Sequence, residues 1–301
     1  MELWIPITIA AAFCQNLRSA LQKHLKGKLG TTGATFIRFG YGFPFALIYL
    51  FFLHEGLGHP FPVPGMDFFI AGAAGGIFQI LATFLLVHLF SFRNFAVGTA
   101  YSKTEPVQAA IFGLLILGET VTPVALLAIL IGVLGVAVIS VAHAPLSWRS
   151  LSASVMGRPA MIGLSSAAAF GASAASYRFA SLSLGGPNFL MQAAFTLAFV
   201  TLFQTVVMAA WMRWREPEQL TASLVHWRIA VWVGFVGVLG SAGWITAMTL
   251  QKVAYVRALA QIELVFTFLA SWFIFRERVS RLDVIGCTMI AGGIVLLLLG
   301  R

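Results

Sequence analysis

Seven charged side chains stand inside long apolar stretches of this sequence. A charge in hydrocarbon costs roughly 2.5–3.5 kcal/mol on insertion scales, so such residues usually face one another, a bundle interior or a wet cavity. The two acidic members, Glu105 and Glu263, could pair with a cation, exchange a proton or bind a polar solute. The seven residues are Arg18, Arg38, Lys103, Glu105, Arg178, Arg257 and Glu263.

The place of each arginine along its apolar stretch predicts how it is accommodated. Arg18, Arg178 and Arg257 lie toward the ends of their stretches, so we expect their long side chains to extend to the membrane surface. Arg38 lies eight residues inside its stretch and has no such easy route to water. It is therefore the arginine that the sequence favours for an internal site.

The surroundings of Glu105 predict a partner on another helix. Tyr101, Glu105 and Gln108 recur at i, i+4 and i+7, which places them on one helix face. Lys103 lies about 200° from Tyr101 on the same helical wheel, so it is badly placed to pair with Glu105. Pro106 removes a backbone donor and permits a bend. A packing role and a functional role are both open for this carboxyl group.

The composition places the chain among membrane proteins. Of its 301 residues, 59% are hydrophobic and 10% are charged, whereas soluble proteins carry about 25% charged residues. The net charge of +9 comes mostly from short loops, where basic residues set membrane orientation, so we expect no nucleic-acid partner. The two cysteines and six histidines lack the spacing of a disulfide framework or a metal site, and we expect no cofactor.

Ten apolar stretches are long enough to cross a bilayer, which takes about 20 residues in a helix. The first stretch lacks the basic start and the cleavage site of a signal peptide, so we expect it to be retained. The breaks between stretches carry charges, prolines or glycines. The predicted spans cover 3–22, 30–53, 67–91, 94–117, 121–142, 159–183, 187–212, 229–250, 253–275 and 280–300.

The second half of the sequence repeats the first at a shift of 158 residues. Glu105 then aligns with Glu263, and Glu119 aligns with Glu277. Each half has five spans, an odd number, so the second half enters the membrane upside down. We predict an all-α integral membrane protein with ten transmembrane helices in two inverted five-helix repeats. The predicted domains are a first repeat over 1–143, a connecting loop over 144–158 and a second repeat over 159–301.

The basic residues of the loops support the inversion. One side of the predicted topology carries 12 basic loop residues, and the other side carries two, Lys252 and Arg301. The bias changes between the loops of the two halves, as an inverted repeat requires. Because the basic side of a membrane protein is usually cytoplasmic, we predict that both termini lie outside.

Polar and aromatic residues form stripes on spans of both halves. Each stripe alone is typical of helix packing, but together they favour a central cavity for a small amphipathic solute. A phosphate or nucleotide-sugar ligand would favour a dense basic cluster, which the sequence does not indicate. We also predict hinges at Gly76 and Pro106. The candidates for the cavity are Asn16, Arg38, Gln79, Thr83, Tyr101, Glu105, Gln108, Ser173, Tyr177, Gln192, Trp244, Met248 and Glu263.

Two segments carry a family resemblance: EPVQAAIFGLLILGETVTPVALLAILIGVLGV at 105–136 and IELVFTFLASWFIFRERVSRLDVIGCTMIAGGIVL at 262–296. With its ten spans in two halves, the chain resembles the EamA-type transporters of the drug/metabolite transporter superfamily, and within it bacterial amino-acid exporters of the YddG type. The resemblance implies a cavity lined by the hairpins of spans 3–4 and 8–9, and structural roles at helix ends for Glu119 and Glu277. Leu264 stands where the motif has a proline, which leaves the bend of the second half open.

The leading functional interpretation is a secondary, alternating-access transporter in a bacterial inner membrane. It would export amino acids, aromatic and neutral ones first, or similar small amphipathic metabolites. Its expected partners are the solute, the lipid bilayer and the proton as coupling ion, because a buried carboxyl can carry a proton. The alternatives are an exporter of other metabolites or drugs and, more distantly, a membrane-embedded enzyme or a structural bundle. The sequence contains no HExxH or GxSxG motif, so we expect no enzyme.

Overall fold

The computed structural model describes residues 2–26, 28–89, 92, 101–142, 157–186, 188–273 and 280–300. The regular structure of these residues is helical, and a π-helical turn at Phe52–Gly56 extends the third helix. The α-helices are α1 (Trp4–Lys26), α2 (Thr31–Gly40), α3 (Phe43–Phe51), α4 (Met66–Leu89), α5 (Glu105–Leu117), α6 (Pro123–Ala142), α7 (Arg158–Ser183), α8 (Phe189–Arg215), α9 (Pro217–Val225), α10 (Trp227–Leu250), α11 (Val253–Leu259), α12 (Ile262–Phe273) and α13 (Arg281–Leu299).

Helices occupy the described part of every predicted span. Among the described residues, α1 and α7 are 23 and 26 residues long, which is long enough to cross a bilayer. Both contain more polar residues than the apolar helices named below. Ten crossings therefore stay a prediction. In the part of the chain that the structure describes, six helical segments are both long and apolar enough to cross a membrane: Thr31–Gly56, Met66–Leu89, Pro123–Ser140, Phe189–Arg215, Trp227–Leu250 and Arg281–Leu299.

Spans 4 and 9 are interrupted at corresponding points. A turn at Lys103 and Thr104 precedes α5, and a turn at Ala260 and Gln261 separates α11 from α12. At the 158-residue shift the two turns coincide to within one residue. The helix of span 9 is therefore interrupted without the proline of the motif. In span 4, Pro106 lies in the first turn of α5, where no backbone N–H donor is needed. Discontinuous helices of this kind are typical of secondary transporters.

The two halves exchange packing partners. The first helix of each half lies along the third span of the other, since α1 packs along α10 and α7 packs along α4. The final helices of the halves, α6 and α13, meet through glycines: a β-carbon on Gly135 would lie 2.7 Å from the carbonyl oxygen of Gly286. Small residues allow helix backbones to approach this closely. Reciprocal pairing is expected of two repeats related by a pseudo-two-fold axis.

Loops that the topology places on one side contact each other. The backbone N–H of Gly30, in the first loop, donates to Gln219 Oε1, in the seventh, at 2.7 Å. The Lys252 ammonium, in the eighth loop, donates to the Thr120 carbonyl, in the fourth, at 2.7 Å. In the first contact both loops are odd-numbered, and in the second both are even-numbered, as expected for loops on the same side of the membrane. The seventh loop also contains the short helix α9, which the sequence did not predict.

Candidate functional site

A cavity lies between the two halves and takes its walls from both. The first half contributes residues of α1, α2 and α4, and the second half contributes residues of α7, α8, α10 and α11. Five predicted residues reach it, and its walls mix guanidinium, amide, hydroxyl and aromatic groups. The lining residues are Gln15, Arg38, Phe39, Gln79, Phe170, Tyr177, Leu197, Val200, Thr201, Gln204, Gly237, Val238, Ser241, Trp244, Ile245, Met248 and Arg257.

The cavity is narrow in this conformation. Its volume is about 30 Å³, which holds roughly two water molecules at about 10–15 Å³ each. An amino acid does not fit this space. The polar side chains around it are hydrogen-bonded to one another, so a solute has to separate some of them to enter.

Arg38 extends from α2 into the cavity and is held by neutral partners. Its Nη1 donates to Thr83 Oγ1 at 2.8 Å. The Gln79 amide satisfies both of its neighbours when its oxygen accepts from Arg38 Nη2 at 2.6 Å and its nitrogen donates to Ser173 Oγ at 2.7 Å. Ser173 Oγ in turn donates to the Gly75 carbonyl at 2.9 Å. These contacts orient the guanidinium group without neutralising its charge.

A second buried chain of hydrogen bonds holds Tyr177. Gln204 Nε2 donates to the Tyr177 hydroxyl at 3.0 Å and to the Gly76 carbonyl at 3.2 Å. Gly76, a predicted hinge, lies within the unbroken helix α4. A β-carbon on Gly76 would lie 2.9 Å from the Phe203 ring, and one on Gly75 would lie 2.7 Å from the Tyr177 ring. Both glycines therefore make room for aromatic rings of the second half.

Two ion pairs connect the halves at the helix breaks. Glu105, in the first turn of α5, pairs with Arg257 of α11, with 3.1 Å between Oε1 and Nε. Lys103 pairs with Glu263, in the first turn of α12. As the helical wheel predicted, the partner of Glu105 lies on another helix. Each carboxylate also lies at a helix N-terminus, where the helix dipole favours negative charge.

The ion pairs continue to the cavity through an aromatic ring. The Arg257 guanidinium lies 4.8 Å from the centre of the Trp244 ring, within the range of a cation–π contact. The Trp244 indole donates to Gln15 Oε1 at 3.1 Å, and Gln15 Nε2 donates to Glu263 Oε2 at 3.4 Å. Asn16 Nδ2 donates to the Glu263 backbone carbonyl at 3.3 Å. The ion pairs, the ring and the amides therefore form one network.

The prediction that three arginines extend to the membrane surface is wrong. Arg18 and Arg257 are 4% and 6% exposed, and Arg178 is also turned into the bundle. Each of the three guanidinium groups contacts a hydrogen-bond acceptor, a carboxylate or an aromatic ring inside the protein, so its side chain does not need to extend to water. Arg18 and Arg257 lie with Arg38 in a cluster of buried arginines, close to the partly exposed Lys103, which the sequence did not indicate.

Arg178 joins Glu119 to the end of α10. Its Nε lies 2.5 Å from Glu119 Oε1, and its Nη1 donates to the Gln251 carbonyl at 2.8 Å. Glu119 follows Gly118, whose φ of +67° ends α5 in a left-handed conformation. The partner of Glu119 is thus an arginine within helix α7. Glu277 lies outside the described residues.

Three predicted cavity residues lie elsewhere. Gln192 lines a separate cavity at the turn between α7 and α8, where its amide donates to the Gly185 carbonyl at 2.7 Å. Gln108 donates to Thr104 Oγ1 at 3.0 Å, and Thr104 Oγ1 donates to the Tyr101 carbonyl at 2.7 Å. The helix break separates Tyr101 from Gln108, so the single helix face assumed for both does not form.

Several residues of the site were not among the predicted candidates. Gln15 and Gln204 could have been found, because an amide inside a long apolar run needs a hydrogen-bonding partner. Arg18 and Arg257 carry no comparable signal. Their positions near the ends of spans are equally typical of arginines that reach the membrane surface.

Comparisons with known proteins agree with this architecture. The model of the family described as the EamA-like transporter family matches residues 2–141 and 159–299, one match in each half. No curated protein matches the chain. A solved structure titled "Crystal structure of protein" is similar to this chain with a TM-score of 0.71 and 18% identity, over 98% of this chain and 97% of that chain. At that identity the similarity shows a shared fold alone.

Proposed function

The chain belongs to the EamA-like transporter family, and on this premise we propose that it is a secondary, alternating-access exporter of amino acids or similar small amphipathic metabolites. Membership of the family makes it a multi-pass membrane transporter. We further propose that it lies in the plasma membrane and that the direction of transport is export. Aromatic and neutral amino acids are the solutes that we place first.

The observation that carries the proposal is the composition of the cavity between the halves. Arg38 offers donors for a carboxylate, while Tyr177, Trp244 and Phe170 offer ring surface for an apolar side chain. Gln79 and Gln204 add amide groups that can accept from or donate to a solute. A small number of polar groups that point into a cavity with apolar and aromatic walls is typical of small-molecule sites.

The narrow cavity and the ion pairs between the halves support alternating access. A site with room for roughly two water molecules has to open before a solute can enter. The pairs Glu105–Arg257 and Lys103–Glu263 hold the helix breaks of the two halves together. Their separation and re-formation would couple opening on one side to closure on the other.

We propose the proton as the coupling ion. Glu105 and Glu263 are carboxyl groups within the predicted spans, and each holds a cation of the other half. Protonation of either one would release that cation and loosen the contact between the halves. Flux measured with and without an imposed pH gradient tests this step; equal flux in both conditions, and with a protonophore present, would rule the proton out.

Transport itself can be tested in proteoliposomes loaded with labelled phenylalanine, tryptophan or threonine. We expect Trp244→Ala to lower the flux about tenfold, because it removes a ring that contacts both a guanidinium and the cavity. The matched control is Trp232→Ala, since Trp232 is 60% exposed and Trp244 is 4% exposed. The amino-acid proposal fails if folded protein moves none of these solutes while it moves other metabolites or drugs from a wider panel.

A further inference from the structure

Two buried cations have no carboxylate partner among the described residues. Arg18 and Arg38 are 4% and 5% exposed, and neither belongs to an ion pair formed in the described part of the chain. The described residues offer no hydrogen-bond acceptor to the Nε of either guanidinium. The hydrogen-bond partners of Arg38 among them are neutral groups, and the hydrogen bond of Arg18 runs from Nη2 to Ser19 Oγ at 3.4 Å.

The two arginines converge on one point beside the cavity. A β-carbon on Gly237 of α10 would lie 3.5 Å from Arg18 Cδ and 3.5 Å from Arg38 Cγ. Both side-chain stems therefore pass the same glycine, which itself lines the cavity together with Arg38. Since Gly237 has no side chain, room for a β-carbon is left between the two arginine stems.

The charges of the described residues do not compensate these arginines. Lys103 and Arg257 are each matched by one glutamate in the ion pairs between the halves. Within the described part of the chain, Arg18 and Arg38 are left as a surplus of two buried positive charges. An uncompensated buried charge is strongly unfavourable, and two like charges beside each other add repulsion. A bound anion would supply the missing negative charge.

From this geometry, and resting on the proposed transport function, we propose that Arg38 and Arg18 form a subsite for the carboxylate group of the transported solute. The planar guanidinium of Arg38 presents paired donors that match a carboxylate, and Thr83 and Gln79 fix its orientation. The apolar body of the solute then lies against the rings of Tyr177 and Trp244.

Three probes with the same phenyl-bearing body test the subsite by calorimetry on the full chain in nanodiscs. They are 3-phenylpropionate, with a carboxylate alone, L-phenylalanine, with a carboxylate and an ammonium, and 2-phenylethylamine, with an ammonium alone. We expect the two carboxylate probes to bind at least about tenfold more tightly than the amine, since a hydrogen-bonded pair of opposite charges strengthens binding by about that factor. If neither carboxylate probe binds, or the amine binds equally well, the proposal is overturned.

Arg38→Gln is the central variant, and we expect it to weaken both carboxylate probes about tenfold or more. Arg213→Gln makes the same change at an exposed position and should leave binding unchanged. Arg38→Lys keeps the charge without the planar fork and should recover part of the affinity. Full affinity in Arg38→Gln, or equal weakening in Arg38→Gln and Arg38→Lys, would contradict a charge-based subsite.

Arg18→Gln keeps the subsite testable where Arg38→Gln does not fold, and the expected loss is again specific to the carboxylate probes. Flux through proteoliposomes separates this proposal from the transport function. Binding of 3-phenylpropionate without flux of any solute would leave the subsite standing and reject the transport proposal. If proteoliposomes transport the carboxylate probes and neither arginine variant changes that flux, the transport proposal stands and the subsite is rejected.

Discussion

The ion pair between Glu105 and Arg257 makes the halves depend on each other, and its removal has a predictable effect on stability. The two side chains are 17% and 7% exposed, and their charged atoms lie 3.1 Å apart. Glu105→Gln preserves the size of the side chain and removes its charge. Arg257 is then left buried within reach of two further cations, Lys103 and Arg18.

The magnitude follows from the distance and the burial. Two unit charges 3.1 Å apart attract by about 5 kcal/mol at an effective dielectric constant of ~20, and desolvation offsets a large part of this. Removing one partner of a buried pair costs roughly 3–5 kcal/mol, because the other charge is stranded. We expect Glu105→Gln and Arg257→Gln each to destabilise the protein by about 3 kcal/mol. The double variant should cost about the same as either single one, which gives a coupling energy of about 2–3 kcal/mol.

The assay is a double-mutant cycle on the free energy of unfolding in mixed micelles. Unfolding by a denaturing detergent can be followed through the fluorescence of the eight tryptophans. A control cycle combines Glu105→Gln with Arg213→Gln at an exposed position, and its coupling should stay below about 0.5 kcal/mol. The reasoning is refuted if Glu105 and Arg257 couple no more strongly than this control pair.

Three further changes test packing, helix termination and the cavity. Gly135→Ala places a β-carbon 2.7 Å from the Gly286 carbonyl oxygen and should cost about 1–3 kcal/mol of unfolding free energy. Gly292→Ala meets no atom within 4 Å and should cost nothing in the same titration; equal losses would contradict the close contact. Arg178→Gln removes donors to the end of α10, so amide exchange there should accelerate about tenfold, and unchanged exchange would oppose the capping role. Gly237→Val fills the space between the two arginine stems, should cost about 1–3 kcal/mol of unfolding free energy, and should abolish binding of 3-phenylpropionate to the protein that still folds; retained affinity would place the subsite elsewhere.

Local patterns in the sequence were sufficient for some residues of the site. The sequence predicted a partner of Glu105 on another helix, and Arg257 of α11 is that partner, although the turn at Lys103 and Thr104 interrupts the helix on which the wheel was drawn. Arg38 was predicted inside because its position within the span offers no short route to water. Gln79, Tyr177 and Trp244 were predicted to face the cavity from the polar and aromatic stripes of their spans, and all three line it.

Features set by contacts between the halves could not be predicted in this way. Nothing near Arg257 in the sequence indicates that α11 ends two residues later, at Leu259, and that the Arg257 guanidinium turns toward Glu105. The break before α12 occurs without a proline, so the residue pattern that marks it in the first half is missing. The pairing of Lys103 with Glu263 joins residues 160 positions apart, and only the packed arrangement of the helices brings them together.

The exchange of ion-pair partners between the halves also governs how the chain can be assembled during translation. Glu263 follows Lys103 by 160 residues, which corresponds to about 8–30 s at about 5–20 residues per second. Throughout that interval the first half is already inserted, while the residues that neutralise its buried charges have not yet been synthesised. During that interval Lys103 and Glu105 lack the partners that the second half provides, Glu263 and Arg257. A first half expressed alone should accordingly be a substrate for membrane quality control rather than a stable domain.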